Sequence, residues 1–569
     1  MRFIDKQRLQ WSFGKIFSIM LCSVSFAIHA DNPHELYGAW PADNNNNNNL
    51  GVAGNESILN QSNVANLQML WSTVDMNTGT PPVPSTPVLA DGNVYYATST
   101  GIIYSYTQSG VLNWSTQLYA DAAKTIPEYF DESPVLTRDA LFIGGNQMHR
   151  LDRNLGVEVW ATLWDPVASQ FVPAGDILPS QLMVAGNNVV YGVGFTDETE
   201  GGADNPLFPY THGKVVAFNQ ENGQISWSLD MTQYNGVQYG TGVGSFAGGG
   251  VDEKLHLYFT GSGNNYAAPV SPISDSLLAI NYQTGTLEWY YQYAQDDLFG
   301  DGGSNIQKDG NHDLDNPCHP QIFSILGLDL VGARGKDGTY RIFTRFQLDP
   351  NNVRPLAQIQ LDPPTTSGGG IQLEPVINNG IMYIASVSWI NPANPTVHST
   401  LDSVSAFVAP FVATTTVRAI NLERLIAYGL VQLFLGNTVP TCVGSIASGT
   451  NPTPIYPSNR CGGLLPPGIV LWERALNPIE CLNSSGLTYA NGVLFIPTLN
   501  GKVIMLNTDN GNTISTLSPF PITSGPFAGS ALPVLGGVSI DNGQIFVPVG
   551  LVGTPTLPGG IAVYGLPAQ

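Results

Sequence analysis

Residues 86–114 read TPVLADGNVYYATSTGIIYSYTQSGVLNW, and the pattern of this segment recurs along the chain. An apolar run follows the turn at Asp91–Gly92, a second run follows Gly101, and Gly110 precedes Trp114 by four residues. Apolar and polar residues alternate within each run, as they do in half-buried antiparallel strands, and glycine suits the tight turns between strands. The segment therefore predicts a small antiparallel sheet whose strands follow one another in sequence.

The spacing of four residues from glycine to tryptophan returns further along the chain. It is found at Gly156/Trp160, Gly223/Trp227, Gly285/Trp289 and Gly468/Trp472, whereas Gly511 leads to Ser515. Because three or four strands cannot bury their own faces, repeated sheets must stack on one another, as they do in a β-propeller. We expect the recurrent tryptophan to pack between neighbouring blades.

Counting the repeats predicts an all-β fold, an eight-bladed β-propeller with antiparallel four-stranded blades. Blade ends are predicted near residues 114, 160, 227, 289, 354, 472 and 515, with a last blade between residues 530 and 564. A strand near residues 67–71 is predicted to complete the last blade, so that N- and C-terminal strands close the ring and remove its open sheet edges.

Composition agrees with this fold and excludes some partners. The 569 residues include 62 Gly and 41 Pro but only 11% charged residues, which is typical of short strands joined by tight turns. The formal net charge of −22 argues against binding to nucleic acid or to anionic membrane surfaces. We therefore expect no nucleic-acid partner.

The first 30 residues have the features of a signal peptide. Basic residues precede an apolar run from Ile16 to Ile28, which is too short to span a bilayer, and cleavage is predicted after Ala30. No later apolar run reaches transmembrane length, so we predict no membrane span. The mature protein is predicted to be periplasmic or secreted.

The rest of the chain divides into an extension and the propeller. Residues 31–64 form a predicted N-terminal extension, in which we expect the asparagine run 44–49 to be flexible, and residues 65–569 form the propeller. The repeat is interrupted at about 389–467, which predicts an insertion. Within it, residues 421–428 have the pattern of a short amphipathic helix.

Four cysteines remain after the predicted cleavage: Cys318, Cys442, Cys461 and Cys481. An even number is compatible with disulfides in an oxidising compartment, and three pairings are possible. We favour Cys442 with Cys461, which would close a loop rich in Gly, Pro and Asn. The sequence contains no Cys-x-x-Cys-His motif, so covalent c-type haem is excluded.

The repeat letters at 91–96 and 213–218 resemble those of the pyrroloquinoline quinone (PQQ)-dependent alcohol dehydrogenases, and are most similar to the polyvinyl-alcohol dehydrogenase branch. The resemblance covers nearly the whole mature chain, apart from the insertion. It implies oxidation of a small-molecule or polymeric alcohol with PQQ and a metal ion as cofactors. It also implies a separate electron acceptor such as a cytochrome c, because this chain has no haem motif.

The resemblance assigns ion ligands to Glu200, Asn264, Asp313 and Asp315. Hard oxygen ligands, neutral amides included, are those that Ca²⁺ takes in proteins. Glu198 is the rival of Glu200. The second carboxylate, Asp315, is associated in this family with a lanthanide in place of calcium.

The resemblance also makes Asp313 the general base. A nearby cation would hold the pKa of this carboxylate low, so that it is ionised and able to accept a hydroxyl proton. Two other carboxylates compete for the role. Asp297 follows a Trp-x-x-Gln motif that the family shares, and Asp301 lies in the loop after it.

Two further residues are assigned to the quinone. Phe246 falls where the family places a tryptophan beneath the ring, and it offers a smaller stacking face. Lys336, in a Lys-x-Gly motif, would stabilise negative charge that develops on the quinone as it is reduced. No adjacent cysteine pair is present, so the disulfide that some relatives lay over the quinone is missing. These departures leave open a non-catalytic PQQ-like propeller that acts as an exported binding or scaffold module.

Overall fold

Antiparallel four-stranded sheets, arranged as the blades of a propeller, make up most of the structure, which is a computed structural model. It describes residues 34–75, 80–164, 177–195, 212–245, 248–295, 297–298, 316, 319–361, 374–391, 394–398, 412–436, 465–476, 486–518, 520, 531–550 and 558–567. The predicted signal peptide, the four cysteines of the mature chain and several loops lie outside these residues.

The first four blades occupy the N-terminal half of the chain. Blade one contains β2 (Val88–Ala90), β3 (Asn93–Ala97), β4 (Ile102–Thr107) and β5 (Leu112–Gln117). Blade two contains β6 (Val135–Leu136), β7 (Ala140–Gly144), β8 (Gln147–Asp152) and β9 (Glu158–Leu163). Blade three contains β10 (Ile177–Pro179), β11 (Met183–Ala185), β12 (Asn188–Phe195), β13 (Lys214–Asn219) and β14 (Ile225–Asp230). A hairpin of β15 (Gln233–Tyr234) and β16 (Val237–Gln238) precedes blade four, which contains β17 (Gly250–Asp252), β18 (Leu257–Gly261), β19 (Ser276–Asn281) and β20 (Leu287–Gln292).

The last four blades complete the ring. Blade five contains β21 (Gln321–Ile325), β22 (Leu328–Arg334), β23 (Thr339–Thr344) and β24 (Ala357–Gln360). Blade six contains β25 (Val376–Asn378), β26 (Ile381–Asn391), β27 (Asn394–His398), β28 (Val412–Asn421) and β29 (Val470–Ala475). Blade seven contains β30 (Thr488–Ala490), β31 (Val493–Pro497), β32 (Val503–Asn507) and β33 (Thr513–Leu517). Blade eight contains β34 (Ser539–Asp541), β35 (Gln544–Val549), β36 (Gly560–Gly565) and β1 (Gln68–Ser72).

Blade eight joins the two ends of the chain, as predicted. Strand β1 pairs antiparallel with β36, with Met69 opposite Tyr564 and Trp71 opposite Val563. This pairing gives the blade its fourth strand and closes the ring, which removes an open edge. The predicted eight-bladed fold with terminal strand closure is confirmed.

The repeated tryptophans join most blades to the next, which confirms the role predicted for them. In blade three, Trp227 donates its indole N–H to the carbonyl oxygen of Tyr282 in blade four over 2.8 Å. Its ring also lies against Gly285, where an added Cβ would come within 2.8 Å of the indole. Trp71, Trp114, Trp160, Trp289 and Trp472 donate in the same way to Gln108, Arg153, Gln220, Arg345 and Thr508.

This packing explains the glycine-to-tryptophan spacing. Gly285 receives the tryptophan of the preceding blade, and Trp289, four residues later, packs on the following blade. Gly285 has a φ of +75°, a conformation that a side chain would strain. Blade seven has Ser515 instead of a tryptophan, and its outer strand β33 contacts the 3₁₀ turn Val64–Asn66.

The N-terminal segment 36–53 runs along the inner strands of several blades. Its carbonyl oxygens accept hydrogen bonds from Leu89, Leu136, Val251, Ile322, Ile377 and Tyr489, each in the first strand of a different blade or beside it. The first strands β2 and β17 are buried along their length, whereas the outer strand β5 is mostly exposed or half-buried. The segment therefore satisfies backbone groups that would otherwise remain unpaired at the inner edge of these six sheets.

The asparagine run is part of this segment, so the expectation of a flexible run is wrong. Asn44 and Asn49 are 3% and 2% exposed. The side-chain amide of Asn49 donates to the carbonyl oxygens of Gly249 and Pro320, over 2.6 and 3.0 Å. Asparagine suits this place because its short side chain can reach backbone groups of two blades at once.

The predicted insertion at 389–467 contains regular structure that belongs to blade six. Strand β28 supplies the third strand of that blade, and helix α1 (Leu422–Phe434) follows it directly. Asn421 caps the helix by accepting a hydrogen bond from the backbone N–H of Arg424 over 2.9 Å. The predicted amphipathic helix is confirmed, with Leu422, Leu425 and Ile426 buried against the blade. Across the described residues, helical segments lack the length and apolar character needed to cross a membrane.

Candidate functional site

The predicted ion ligand Asn264 lies just after the second strand of blade four, at the end of the propeller where the first strands begin. The residue is 2% exposed. Its side-chain N–H donates to Oδ2 of Asp297 over 3.3 Å. Its Oδ1 is buried and has no hydrogen-bond partner within the structure. Burying an amide oxygen without a partner costs free energy, unless a cation or a hydrogen-bond donor binds to that oxygen.

Asp297 is brought to Asn264 by the loop that follows β20. It is 7% exposed, and a parallel bridge between Asn265 and Leu298 holds the two loops together. The family resemblance made Asp297 an alternative to Asp313 as the general base. The structure places it beside the predicted amide ligand, so these two side chains form an oxygen-rich pair of the type that Ca²⁺ binds.

Close backbone packing builds this end of blades three and four. Ser245 donates its backbone N–H to Val193 of blade three over 3.3 Å, and its hydroxyl is 3.0 Å from that of Thr260 in blade four. An added Cβ at Gly244 would come within 2.7 Å of Gly194. Glycine therefore allows the two backbones to approach closely here.

Asn316 belongs to the same region. Its backbone N–H donates to the carbonyl oxygen of Ser262 over 3.3 Å, and its side chain donates to Ser276 and to the hydroxyl of Tyr293. Asn316 and Ser245 are the sequence neighbours of Asp315 and Phe246. The predicted residues Glu200, Phe246, Asp313 and Asp315, together with the rivals Glu198 and Asp301, lie outside the described residues and stay predictions.

Lys336 lies in the turn between the second and third strands of blade five. This turn follows β22, so it is at the same end of the propeller as Asn264. The residue is partly buried. Its neighbours are already paired, Asp337 with Arg341 and Arg334 with Glu374. The role of Lys336 toward a quinone stays a prediction.

A second polar cluster, which sequence reasoning missed, lies at the start of the first strands. The residues two positions before the short strands β2, β6, β11, β17, β21, β25, β30 and β34, one in each blade, are Thr86, Ser133, Gln181, Gly248, His319, Glu374, Gly486 and Gly537. Asp43, from the N-terminal segment, accepts hydrogen bonds from the hydroxyls of Ser133, over 3.1 Å, and Thr86. Its Oδ2 lies 3.7 Å from Nδ1 of His319, which is 3.6 Å from Oε1 of Glu374. These residues share one spacing, two positions before a short strand of each blade, and that spacing is the sequence signal that could have revealed the cluster.

Burial controls the protonation of this cluster. Burial raises the pKa of Asp43 and of Glu374. It also raises to about 7 the pKa of Asp131, which stands two residues before Ser133 in the sequence. Burial also raises the pKa of Glu132 well above its usual range, and the charges of Asp131, Asp43 and Glu374 add to that shift. The pKa of His319 falls to about 4, chiefly because burial disfavours the charged imidazolium. His319 is therefore neutral at pH 7.

Comparison with known proteins supports this type of propeller. A family model, PQQ_2, described as outer membrane protein assembly factor BamB, matches residues 63–289, which is less than half of the chain. No curated protein matches the sequence.

Several solved structures match over most of the chain. The quinohemoprotein alcohol dehydrogenase of Comamonas testosteroni is 14% identical, with a TM-score of 0.60. The match covers 93% of this chain and 81% of the dehydrogenase chain. Quinohemoprotein alcohol dehydrogenase ADHIIG of Pseudomonas putida HK5 is 14% identical with a TM-score of 0.58, covering 94% and 82%. A europium-containing methanol dehydrogenase is 14% identical with a TM-score of 0.59, covering 94% and 98%. The chain thus has a PQQ-dehydrogenase-like propeller.

Proposed function

We propose that this protein is an exported PQQ-dependent dehydrogenase that oxidises an alcohol, with a metal ion held at the strand ends of blades three and four. The observation that carries the proposal is the buried Oδ1 of Asn264, which has no hydrogen-bond partner, in a side chain whose N–H donates to the Asp297 carboxylate. A cation at this oxygen would remove the cost of leaving it unpartnered. The fold of the structural relatives, two of them named as quinohemoprotein alcohol dehydrogenases, supports the same assignment.

The ion would be held by Glu200, Asn264, Asp313 and Asp315, and the structure adds Asp297 to the candidates. Carboxylate and amide oxygens suit Ca²⁺, and a further carboxylate at Asp315 favours a more highly charged lanthanide. When bound, the ion and PQQ would supply Lewis-acid activation and a hydride acceptor.

The protein's own contribution is to place and deprotonate the alcohol. Asp313 would accept the hydroxyl proton, since a carboxylate near a cation is ionised at neutral pH. Asp297 and Asp301 are the alternative bases. Phe246 would stack on the quinone ring, and Lys336 would stabilise negative charge that appears there.

The remaining parts of the proposal concern export and electron transfer. Basic residues followed by the apolar run 16–28 favour export to the periplasm or the medium. Since the sequence has no c-type haem motif, electrons would pass to a separate acceptor such as a cytochrome c. The substrate would be a small-molecule or polymeric alcohol.

Reconstitution tests the proposal directly. Purified protein is loaded with PQQ and either Ca²⁺ or La³⁺, and reduction of a dye is followed with primary, secondary and polymeric alcohols. We expect alcohol-dependent dye reduction. Asp313→Ala should abolish turnover while quinone absorbance is retained on the protein. Survival of activity in Asp313→Ala would transfer the role of base to Asp297 or Asp301.

A non-catalytic binding or scaffold module is the second candidate. The family match favours it, because the matching model is described as an outer membrane protein assembly factor. The buried acidic groups Asp43, Glu132 and Glu374 also favour it, since they would repel the carboxylates of PQQ if it bound beside them. Failure of the quinone to remain bound after loading with either ion would support this candidate.

A further inference from the structure

We propose a second cation site, at which Asp43, His319 and Glu374 bind a divalent first-row transition metal such as Zn²⁺. It shares no residue with the ion site proposed at Asn264, and it does not depend on the enzymatic function. One ligand atom from each of the three residues lies within 4.8 Å of the other two. The three residues come from the N-terminal segment, from the start of blade five and from the start of blade six.

Distances within the cluster fit a shared metal better than hydrogen bonds. Nδ1 of His319 lies 3.7 Å from Oδ2 of Asp43 and 3.6 Å from Oε1 of Glu374, both too long for a hydrogen bond. Ligands about 2.0–2.2 Å from a tetrahedral Zn²⁺ are about 3.3–3.6 Å from one another. All three ligand atoms lie within 4.8 Å of one another, so they would have to approach one another by about 1 Å at most to share one ion.

Two buried side-chain atoms of these residues have no hydrogen-bond partner within the structure. His319 is 7% exposed and its Nδ1 has no hydrogen-bond partner. Glu374 is 2% exposed, and its Oε2 is also unpartnered, although its Oε1 pairs with Arg334. Buried polar atoms are normally satisfied, so two such atoms in one cluster indicate a missing ligand.

The charge of the cluster also calls for a cation. Glu132 lies close enough to Asp43, Glu374 and Asp131 for their charges to interact with its own. In the part of the chain that the structure describes, Arg334 is the permanent cation that pairs with this cluster. Several buried carboxylates beside one guanidinium are left with uncompensated negative charge or must hold protons. A divalent ion would compensate that charge.

The imidazole is built to serve as a ligand. Nδ1 of the buried His319 lies within 3.7 Å of a carboxylate oxygen of both Asp43 and Glu374, and an imidazole nitrogen is a common metal ligand. Gly248 leaves room for the ring: an added Cβ would come within 2.5 Å of Nε2. The hydroxyls of Thr86 and Ser133 donate to Oδ1 of Asp43, and its Oδ2 is the oxygen that lies 3.7 Å from Nδ1 of His319. Hydrogen bonds of this kind orient metal ligands.

The donor set selects the class of metal. One imidazole nitrogen with two carboxylates suits Zn²⁺, Mn²⁺ and their first-row neighbours, whereas Ca²⁺ takes oxygen ligands alone. A metal here would connect Asp43 of the N-terminal segment to blades five and six. Binding should then stabilise the folded chain in proportion to the logarithm of the metal concentration.

Equilibrium dialysis of the full chain tests the proposal. Protein treated with a chelator is dialysed against Zn²⁺, and the bound metal is measured by elemental analysis; thermal unfolding is followed with and without Zn²⁺. We expect one site that raises the unfolding midpoint. Asp43→Asn and His319→Ala should each weaken Zn²⁺ binding by more than about 10-fold. The isosteric Asp43→Asn keeps the shape of the site, and unfolding without metal checks that each variant is folded.

Two control variants make the result specific. Asp349→Asn removes an exposed carboxylate, and Asn264→Ala changes the other proposed ion site; both should bind Zn²⁺ as the unchanged protein does. Loss of alcohol oxidation in Asn264→Ala with intact Zn²⁺ binding would separate the two sites. The proposal is overturned if the chain binds no Zn²⁺, which would mean that shared protons neutralise the cluster. It is equally overturned if Asp43→Asn and His319→Ala leave Zn²⁺ binding unchanged.

Discussion

Replacing Gly285 by alanine should destabilise the protein through a clash with a tryptophan of the preceding blade. Gly285 has a φ of +75°, which costs an alanine about 1–2 kcal/mol. An added Cβ would also lie 2.8 to 2.9 Å from three atoms of the Trp227 ring. Displacing a buried ring in this way costs about 1–3 kcal/mol more.

Gly327 supplies the matched control for this change. Its φ is also +75°, and an added Cβ would meet nothing within 4 Å. Gly327→Ala should therefore show the backbone cost alone, and Gly285→Ala should lose about 1–3 kcal/mol more. For a chain of this size, 1 kcal/mol corresponds to a shift in the unfolding midpoint of about 1 °C, which calorimetry resolves.

A double-mutant cycle identifies the clashing partner. In a Trp227→Ala background, the ring that Cβ would strike is absent, so Gly285→Ala should cost no more than Gly327→Ala does. The reasoning is refuted if Gly285→Ala and Gly327→Ala have equal effects in the unchanged protein. It is also refuted if the extra cost persists without Trp227.

Three further predictions concern the ion site, the pH dependence of stability and the N-terminal segment. Asn264→Ala should lower the affinity for Ca²⁺ by more than about 10-fold in calorimetric titration, while Asn222→Ala, on an exposed turn, should not. Burial lowers the pKa of His149, but hydrogen bonds to Glu128 and Glu158 outweigh this and the net shift is upward. A raised pKa stabilises the folded state fully below the usual pKa of about 6.5, and this stabilisation is lost as pH rises through the raised value. The unfolding midpoint should therefore decline above about pH 6.5, and His149→Gln should flatten that decline. An unchanged decline in the variant would contradict this. Asn49→Ala removes two buried hydrogen bonds and should lower the free energy of unfolding by about 2–3 kcal/mol. The control Asn46→Ala removes one hydrogen bond at a more exposed site and should lower it by under about 1 kcal/mol. Equal losses in thermal unfolding would contradict the role given to Asn49.

The blades could be predicted from the sequence because each of them repeats a local signal. Gly285 and Trp289 are four residues apart, yet each reports a contact with a different neighbouring blade. A repeat of this kind turns a long-range contact into a short-range pattern. The closing strand could be predicted for a related reason, because an unpaired fourth position in the last blade requires a partner from the other end of the chain.

The N-terminal segment could not be predicted in the same way. Asn49 contacts Gly249 and Pro320, residues about 200 and 271 positions away, and nothing in the run itself indicates those partners. The cluster around His319 has the same origin, because Asp43 and Glu374 reach it from distant parts of the chain. At the candidate ion site, the resemblance indicated Asn264, and the structure was needed to show that Asp297 is its neighbour.

Donor chemistry separates the two proposed cation sites, although both lie at the same end of the propeller. The pair of Asn264 and Asp297 offers oxygen atoms alone, which favours a hard ion such as Ca²⁺ or a lanthanide. The cluster of Asp43, His319 and Glu374 includes an imidazole nitrogen, which favours a transition metal. Titration with Ca²⁺ should therefore respond to Asn264→Ala, and titration with Zn²⁺ should respond to His319→Ala. If one ion responded to both variants, the two clusters would have to be parts of a single site.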